Sequence, residues 1–343
     1  MVDVIIPVFN AFEDLERCLA AVERHRDGTA FRLILVNDAS TDERIVPFLE
    51  ALQQQPWTDT LVLTNPRNLG FVQTVNRAMA QGSTDVVLLN SDTRVTAGWL
   101  GHMLACAASD ARIATVTPFS NNGEICSYPV FCQATPASSL DADAIAAAMA
   151  ALSPDTGCPD LPTGVGFCMF VRRQALNQLG LFDADHFGTG YGEENDFCRR
   201  AHAAGWRNVL CPQAYVLHAG GASFQSQSSG FKANNLKALL QKHPNYEAVV
   251  RDFIAADPLQ GLREAVRDRL AADRRDSAGQ PARAGWLLVT HRLGGGVEKH
   301  VMDLVALLGD QARVEVLRPW GTHGVQLQDS QGNTLTRDAG DAG

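Results

Sequence analysis

The chain has 343 residues, 45% of them hydrophobic and 20% charged, with a formal net charge of -9, a globular balance that allows a sizeable core and two domains at roughly 100 to 200 residues each. Nucleic-acid binding leaves a basic face or stripe, which this acidic total argues against, so no nucleic-acid partner is expected. No run reaches the ~18 apolar residues of a spanning helix, and the N-terminus enters a strand without a signal segment, so the chain reads as soluble and cytoplasmic.

Val2–Val8 is a short apolar strand stopped by Pro7, and Asn10 opens a helix whose first turn carries Glu13 and Asp14; acids there suit the positive end of the helix dipole. Residues 31–36 make a second strand, and the polar break after it presents Asp38 where the strand stops. A helix over residues 45–53 leads to a third strand at 61–64 and to Asn65-Pro66-Arg67-Asn68-Leu69-Gly70, a turn whose glycine lets backbone approach a ligand closely. Residues 71–80 suit a further helix. Val86-Val87-Leu88-Leu89 then runs apolar without a break and ends at Asn90-Ser91-Asp92-Thr93, a strand covered on both faces that delivers a carboxylate to the sheet edge. The repeat of strand, polar loop and helix predicts a parallel sheet with right-handed crossovers, and ligands bind beyond the carboxyl ends of such strands. Asp92 is therefore the first residue to expect in chemistry.

Residues 118–123 read as a loop, and residues 134–162 hold one helix at 141–152 with no chemistry of their own. Residues 161–171 make a strand entered through Gly164 and Gly166, which suit close approach to a ligand or to another strand, and a helix then closes at Gly180. Glu193, Glu194 and Asp196 start a helix that ends near Gly205, and His218 follows an apolar strand. The eight cysteines are scattered without a CxxC pair and read as buried free thiols rather than disulfides or zinc ligands. Residues 257–281 read as a helical tether and flexible linker; beyond them stand a strand at 285–290, a Gly294-Gly295-Gly296 turn and an amphipathic segment at 297–308. The expected divisions are 1–255, 256–283 and 284–343.

Ile5-Ile6-Pro7-Val8-Phe9-Asn10, Val36-Asn37-Asp38-Ala39-Ser40-Thr41-Asp42, Arg67-Asn68-Leu69-Gly70-Phe71 and Leu88-Leu89-Asn90-Ser91-Asp92-Thr93 together resemble, in order and spacing, the donor half of family 2 glycosyltransferases with the GT-A fold. Glu193-Glu194-Asn195-Asp196 resembles that family's acidic acceptor-side motif, with Glu194 where aspartate is common. The resemblance covers residues 2–250 or so. The segment from Gly285 looks like the opening of a GT-B glycosyltransferase domain but is too short for one, so the sequence reads as the front part of a longer multidomain enzyme.

The resemblance implies an α/β GT-A fold, with a mainly parallel central sheet flanked by helices. It implies an inverting enzyme that moves a hexosyl or deoxyhexosyl group from a nucleotide diphosphate sugar to a glycan or lipid-linked glycan, commonly in bacterial surface polysaccharide synthesis. A lipid-linked acceptor allows peripheral membrane association. Rhamnose, glucose, galactose and N-acetylhexosamine all stay open. The same resemblance places Pro7, Val8, Asn10, Asp38, Asn68, Gly70, Asn90, Ser91 and Asp92 on the nucleotide sugar, Gly164, Glu193 and Asp196 on the acceptor side, and Glu194 as general base.

Transfer needs a grip on the nucleotide, compensation of charge on the leaving diphosphate and a base for the acceptor hydroxyl. Asp38 can accept hydrogen bonds from a nucleobase imide; the alternative is a turn acid capping the next helix. Asp92 suits Mg2+ or Mn2+, which take few protein oxygens and complete their shells from phosphate and water. Asn90 stands where the family's metal motif has its first acid, so Asp92 carries most of the metal contact. His218 is a second ligand or, alternatively, a hydrogen-bonded structural histidine. Glu194, a carboxylate at a helix N-terminus, is expected to be ionised by default; a solvated helix start is its alternative. A dehydrogenase is a rival from the fold class, and against it Pro7-Val8-Phe9-Asn10 stands where a G-x-G-x-x-G would follow the first strand. A non-catalytic nucleotide- or glycan-binding module of a larger synthase is the other reading, against which Asp92, Glu194 and His218 all argue.

Overall fold

A computed structural model describes residues 1–54, 59–188, 190–220 and 228–278, and beyond them 284–289, 300–301, 303–305, 312–320, 324–329 and 334–338. The chain divides into two compact units, Met1–Leu270 and Ala271–Gly343.

The first unit begins with β1 (Val2–Val8), α1 (Phe12–Arg24), β2 (Phe31–Asn37), α2 (Ile45–Gln53), β3 (Asp59–Thr64), α3 (Phe71–Met79) and β4 (Val86–Leu89). β1 pairs in parallel with β2 and β4, and β2 with β3, which gives the parallel half that the strand-loop-helix repeat predicts. Strand alternation sends Val4, Ile6 and Val8 into one core with Leu15, Leu19 and Val22 of α1, and Ile5 into the opposite core with Val72, Val75 and Met79 of α3. Burying each of these side chains contributes ~1.5–3 kcal/mol, so helices are held on both faces. β1 is not stopped at Pro7. Its ladder to β4 covers Asp3, Val4 and Ile5, so the missing proline N–H lies beyond the paired stretch.

The chain continues with β5 (Thr93–Val95), α4 (Trp99–Ser109), β6 (Ile113–Phe119), α5 (Ala142–Ala150), β7 (Cys168–Val171), α6 (Arg173–Leu179), α7 (Ala184–Phe187), α8 (Glu193–Ala203) and β8 (Arg207–His218). β7 runs antiparallel between β4 and β6, β8 lies parallel to β6, and β5 closes the far edge antiparallel to β8. The eight-stranded order is β3-β2-β1-β4-β7-β6-β8-β5. Pro118 and Phe119 belong to β6 rather than to a loop, because they pair with Cys211 and Tyr215. The glycine-entered strand is shorter than expected, and Gly164 and Gly166 precede it. A Cβ at Gly164 would lie 3.1 Å from Thr117 Oγ1, so close approach there is to another strand.

Free thiols are the wrong expectation for Cys106 and Cys158, which form a disulfide across 52 residues with Cα atoms 6.2 Å apart. The bonds Leu161 N–H to Asn208 O and Leu210 N–H to Pro159 O draw the 158–161 segment against β8, beside α4. Sequence spacing carries no trace of that approach. Cys18, Cys126, Cys168, Cys198 and Cys211 are buried free thiols, and Cys132 is exposed.

After β8 come α9 (Ser228–Lys242), α10 (Tyr246–Ala256) and α11 (Gln260–Ala278). The expected tether is part of the first unit's core up to Leu270: Leu259 and Val266 are fully buried beside Tyr128, with Leu262 and Leu270 packed around them. The four-residue spacing of Leu262, Val266 and Leu270 makes one helical stripe, which is why the segment docks.

In the second unit, β9 (Ala284–Val289) runs parallel to β10 (Ala312–Trp320), and β11 (Gly324–Asp329) and β12 (Thr334–Asp338) follow antiparallel. The Gly294-Gly295-Gly296 turn lies outside the described residues; of the 297–308 segment, residues 300, 301 and 303–305 are described and are helical. Among the described residues no helix is long and apolar enough to cross a membrane.

Candidate active site

The parallel strands β3, β2, β1 and β4 end side by side, and all the donor-side residues expected from the sequence lie at those ends. Asp38 is buried, and its carboxylate first holds the protein together. Oδ1 accepts from Asn65 Nδ2 and the Leu69 N–H, both at 2.7 Å, and Oδ2 accepts from the Gly70 N–H at 2.9 Å. A carboxylate offers about four acceptor positions, so one on Oδ2 stays available to a ligand. The capping alternative thus holds in altered form: Asp38 ties the turn before α3, not α2. Gly70 enters that helix at φ 79°, a conformation that favours glycine. Asn68 is exposed and its Oδ1 accepts from the Gly70 N–H at 3.1 Å.

Asn10 works as a clasp between two loops. Its Oδ1 accepts from the N–H groups of Thr41 at 2.8 Å and Asp42 at 3.0 Å, while its own N–H donates to Ser40 Oγ at 3.0 Å. The Val8 side chain is in the core and its carbonyl accepts the Asp38 N–H at 2.8 Å, so Val8 supports the edge from beneath. Pro7 and Asn90 are half-buried and Ser91 is buried.

Asp92 meets His218 because β5 and β8 place Thr93 opposite His218. Asp92 Oδ1 stands 3.4 Å from His218 Nε2. The other ring nitrogen, Nδ1, is 2.9 Å from the Asn122 carbonyl, an acceptor that requires Nδ1 to carry a proton. In the neutral ring the Nε2 lone pair therefore points at a carboxylate, an arrangement stable only with a proton or a cation between them. Burial pushes the His218 pKa down, but the Asp92 carboxylate more than offsets it and holds the imidazole above its ordinary value. Phe167 stacks on the ring, centroids 5.3 Å apart and planes 16° from parallel. Among the described residues no group of three or more His, Cys, Asp or Glu could hold a metal alone.

Across from this pair, Gly190, Tyr191 and Gly192 carry φ values of 139°, 73° and 107° and turn the chain sharply into α8. Glu194 opens α8 with Oε2 3.3 Å from the Gly192 N–H. Glu194 ionises less readily than expected: burial pushes its pKa up to about 7, the helix-end amides resist, and the Glu124 charge adds to the rise. Glu193 is buried and raised well above the carboxylate range, by burial and then by the neighbouring Glu194; its Oε2 has no hydrogen-bond partner among the described residues. Asp196 is a structural hub. Its fully buried carboxylate accepts from Arg200 Nε, Lys242 Nζ and His243 Nε2, each at 2.8 Å, which ties α9 to α8. Gly164 donates its N–H to Cys198 Sγ at 3.1 Å and so fixes the loop below Glu194.

Two residues join the donor side to the acceptor side. A Cβ at Gly166 would lie 3.8 Å from Glu194 Cγ, and the next residue, Phe167, both stacks on His218 and accepts the Asn90 N–H at 2.8 Å. The Tyr191 phenol pKa is raised, by partial burial and then by the charges of Glu193, Asp92 and Glu194. Sequence reasoning missed Glu124, Phe167 and Tyr191 as site residues. Tyr191 stands two residues before the acidic motif that opens at Glu193; Glu124 and Phe167 carried no signal, because their relevance depends on what folds against them.

A 3-2-1-4 parallel sheet with carboxylates at its edge, continued by β7, β6, β8 and β5, is the GT-A glycosyltransferase fold. The model for "Glycosyl transferase family 2" matches residues 3–180; the chain belongs to that family and is a glycosyltransferase. It is 27% identical over 237 residues to the N-acetylglucosaminyl-diphospho-decaprenol L-rhamnosyltransferase of Mycobacterium tuberculosis, covering 63% of this chain and 75% of that one. Among solved structures, GalNAc-T7 with UDP, GalNAc and Mn2+ has a TM-score of 0.54 at 17% identity over 83% of this chain; the chain spans 58% of that structure's length. The mannosyltransferase PcManGT from Pyrobaculum calidifontis, in complex with GDP-Man and Mn2+, has a TM-score of 0.52 at 16% identity, over 90% of this chain and 80% of that one. At these identities the two structures speak to fold alone.

Proposed function

We propose that the first unit transfers a sugar from a nucleoside diphosphate to a hydroxyl of a glycan acceptor, with inversion at the anomeric carbon. The observation that carries this reading is the Gly166-Phe167 bridge, with Glu194 against one residue and His218, beside Asp92, stacked on the next. A base and a diphosphate-side pair thereby border one space. Glu194, poised at about 7, accepts the proton of the acceptor hydroxyl as that oxygen bonds to the anomeric carbon, and the bond to the diphosphate breaks on the opposite face. Neutral Glu193 beside it limits the negative charge around the base.

Asp92 and His218 fit a divalent cation. An Nε2 lone pair and a carboxylate 3.4 Å apart lack only a positive charge between them. An imidazole nitrogen in the set favours Mn2+ over Mg2+, though both accept the carboxylate. With two protein ligands, the remaining positions fall to diphosphate oxygens and water. When bound, the ion would supply positive charge at the leaving diphosphate. Asp38, Asn68 and Gly70 form the wall on which the nucleobase rests.

The mycobacterial relative's printed activity, L-rhamnosyl transfer to a lipid-diphosphate-linked N-acetylglucosamine, supports a rhamnosyl donor and a lipid-linked acceptor in cell-envelope polysaccharide synthesis. Such an acceptor would bring the chain to a membrane surface. The test is a screen of rhamnosyl, glucosyl, galactosyl and N-acetylhexosaminyl nucleotides, with and without Mn2+, for nucleoside diphosphate release. Release of the rhamnosyl donor's nucleotide, raised by Mn2+ and by the lipid-linked acceptor, is expected. Tight nucleotide binding without turnover of any donor would instead establish a binding module.

A further inference from the structure

We propose that Asn121 is a positioning residue for His218, acting through the loop of residues 120–127 to aim the Nε2 lone pair at the metal position. The inference rests on the metal reading above. On the β5 side, the Ala219 N–H bonds the Asp92 carbonyl at 3.0 Å. Antiparallel ladders alternate, so the N–H and C=O of His218 itself point the other way, toward β6. There β6 has already ended, at Phe119 opposite Tyr215. Two backbone groups next to the site would be left unpaired.

Asn121, 2% exposed, fills that gap with its side chain. Its Oδ1 accepts the His218 N–H at 2.8 Å, and its Nδ2 donates to the His218 carbonyl at 3.1 Å and to the Thr135 carbonyl at 2.8 Å. The carboxamide thus stands in for one residue of a missing strand, with both donors in use and Oδ1 also accepting from Ser120 Oγ at 3.5 Å. The next residue completes the grip: the Asn122 carbonyl takes the Nδ1 proton, and Asn122 is itself fixed by its N–H on Ser120 Oγ at 3.2 Å. Asn121 holds the backbone from which the imidazole hangs; Asn122 and Phe167 set the ring's rotation.

The chemistry of the clamp predicts an unusual substitution pattern. Asp has the shape of Asn but would present an oxygen to the two carbonyls that Nδ2 now serves. A role in packing alone would tolerate the isostere; a role in orienting His218 would not.

The experiment is a double-mutant cycle on the full chain, using Mn2+ with whichever of UDP, GDP or dTDP the wild type binds tightest, read by calorimetry and by the electron paramagnetic resonance of free Mn2+. Outer-shell partners of metal ligands typically account for 10–100-fold in metal affinity. Asn121→Ala and Asn121→Asp should each weaken Mn2+-dependent nucleotide binding about tenfold, and neither should weaken it further in a His218→Ala background. Far-ultraviolet circular dichroism and the thermal midpoint identify variants that fold. Should Asn121→Ala destabilise the chain, the His218 ring-nitrogen shifts of metal-free Asn121→Asp supply the reading, a mixture of tautomers being expected in place of the single Nδ1–H form. If His218→Ala weakens binding while the Asn121 variants do not, or do so equally in both backgrounds, the positioning role is overturned and the metal reading stands. If His218→Ala binds Mn2+ and nucleotide like the wild type, the metal reading falls and takes this role with it.

Discussion

Asp92 and His218, 126 positions apart in the chain, face each other with Oδ1 and Nε2 3.4 Å apart. If a divalent ion closes that gap, Asp92→Ala should abolish the Mn2+ dependence of nucleoside diphosphate binding and lower turnover by roughly two to three orders of magnitude. Calorimetry with and without the metal decides it; binding that is indifferent to metal in the wild type would sink the assignment.

Glu194 is held at about 7 by burial, so the base is only partly ionised at neutral pH. The rate constant kcat/KM should rise with pH through an apparent pKa near 7 and level off above it. Glu194→Gln should lose that limb and about 10²- to 10⁴-fold in kcat, with donor affinity intact. Wild-type turnover in Glu194→Gln would show that the base lies elsewhere.

The same burial has a cost in stability. A carboxyl whose folded pKa, about 7, exceeds its ordinary 4.5 binds its proton more tightly in the folded state. Its stabilising contribution is complete below ~4.5 and is lost as pH rises through 7. Glutamine cannot ionise, so Glu194→Gln should be more stable than the wild type at pH 8, by ~1–3 kcal/mol, and no more stable at pH 4. Urea unfolding at the two pH values provides the comparison.

Asp196 is 0% exposed and serves Arg200, Lys242 and His243 at once. Burial alone would raise its pKa, but those three partners hold it below the ordinary carboxylate value, so its contribution is present at neutral pH and fades as pH falls through that depressed value. Asp196→Ala should cost ~2–4 kcal/mol, somewhat less than a wholly buried pair because Arg200 and Lys242 keep some contact with water. A variant as stable as the wild type that had lost acceptor binding would instead make Asp196 a substrate contact.

Much of the fold was legible because it rests on local rules. Val86 to Leu89 had to be a two-sided buried strand, since four consecutive apolar side chains leave neither face for water. Glu13 and Asp14 marked the start of α1, and the helix expected from residue 141 begins there, with the Asp141 side chain accepting the Ala144 N–H as its cap. The site was legible to the same depth. Asp38 and Asp92 were readable as carboxylates at strand ends because strand direction and sheet edge follow from the repeat.

The sequence by itself determined the parallel half of the sheet, the edge at which its strands end and the residue types offered there, because these depend on side-chain period and chain direction. Only the tertiary structure decided how those residues are used. It gave most of Asp38 to the turn before α3, the Asp196 carboxylate to Arg200, Lys242 and His243, and a proton near neutral pH to Glu194. It joined Cys106 to Cys158, and it set Phe167 and residues 120–127 around His218. Each outcome turns on contacts between segments far apart in the chain, where burial and pairing fix a group's charge and partners, and neither can be summed from neighbours along the sequence.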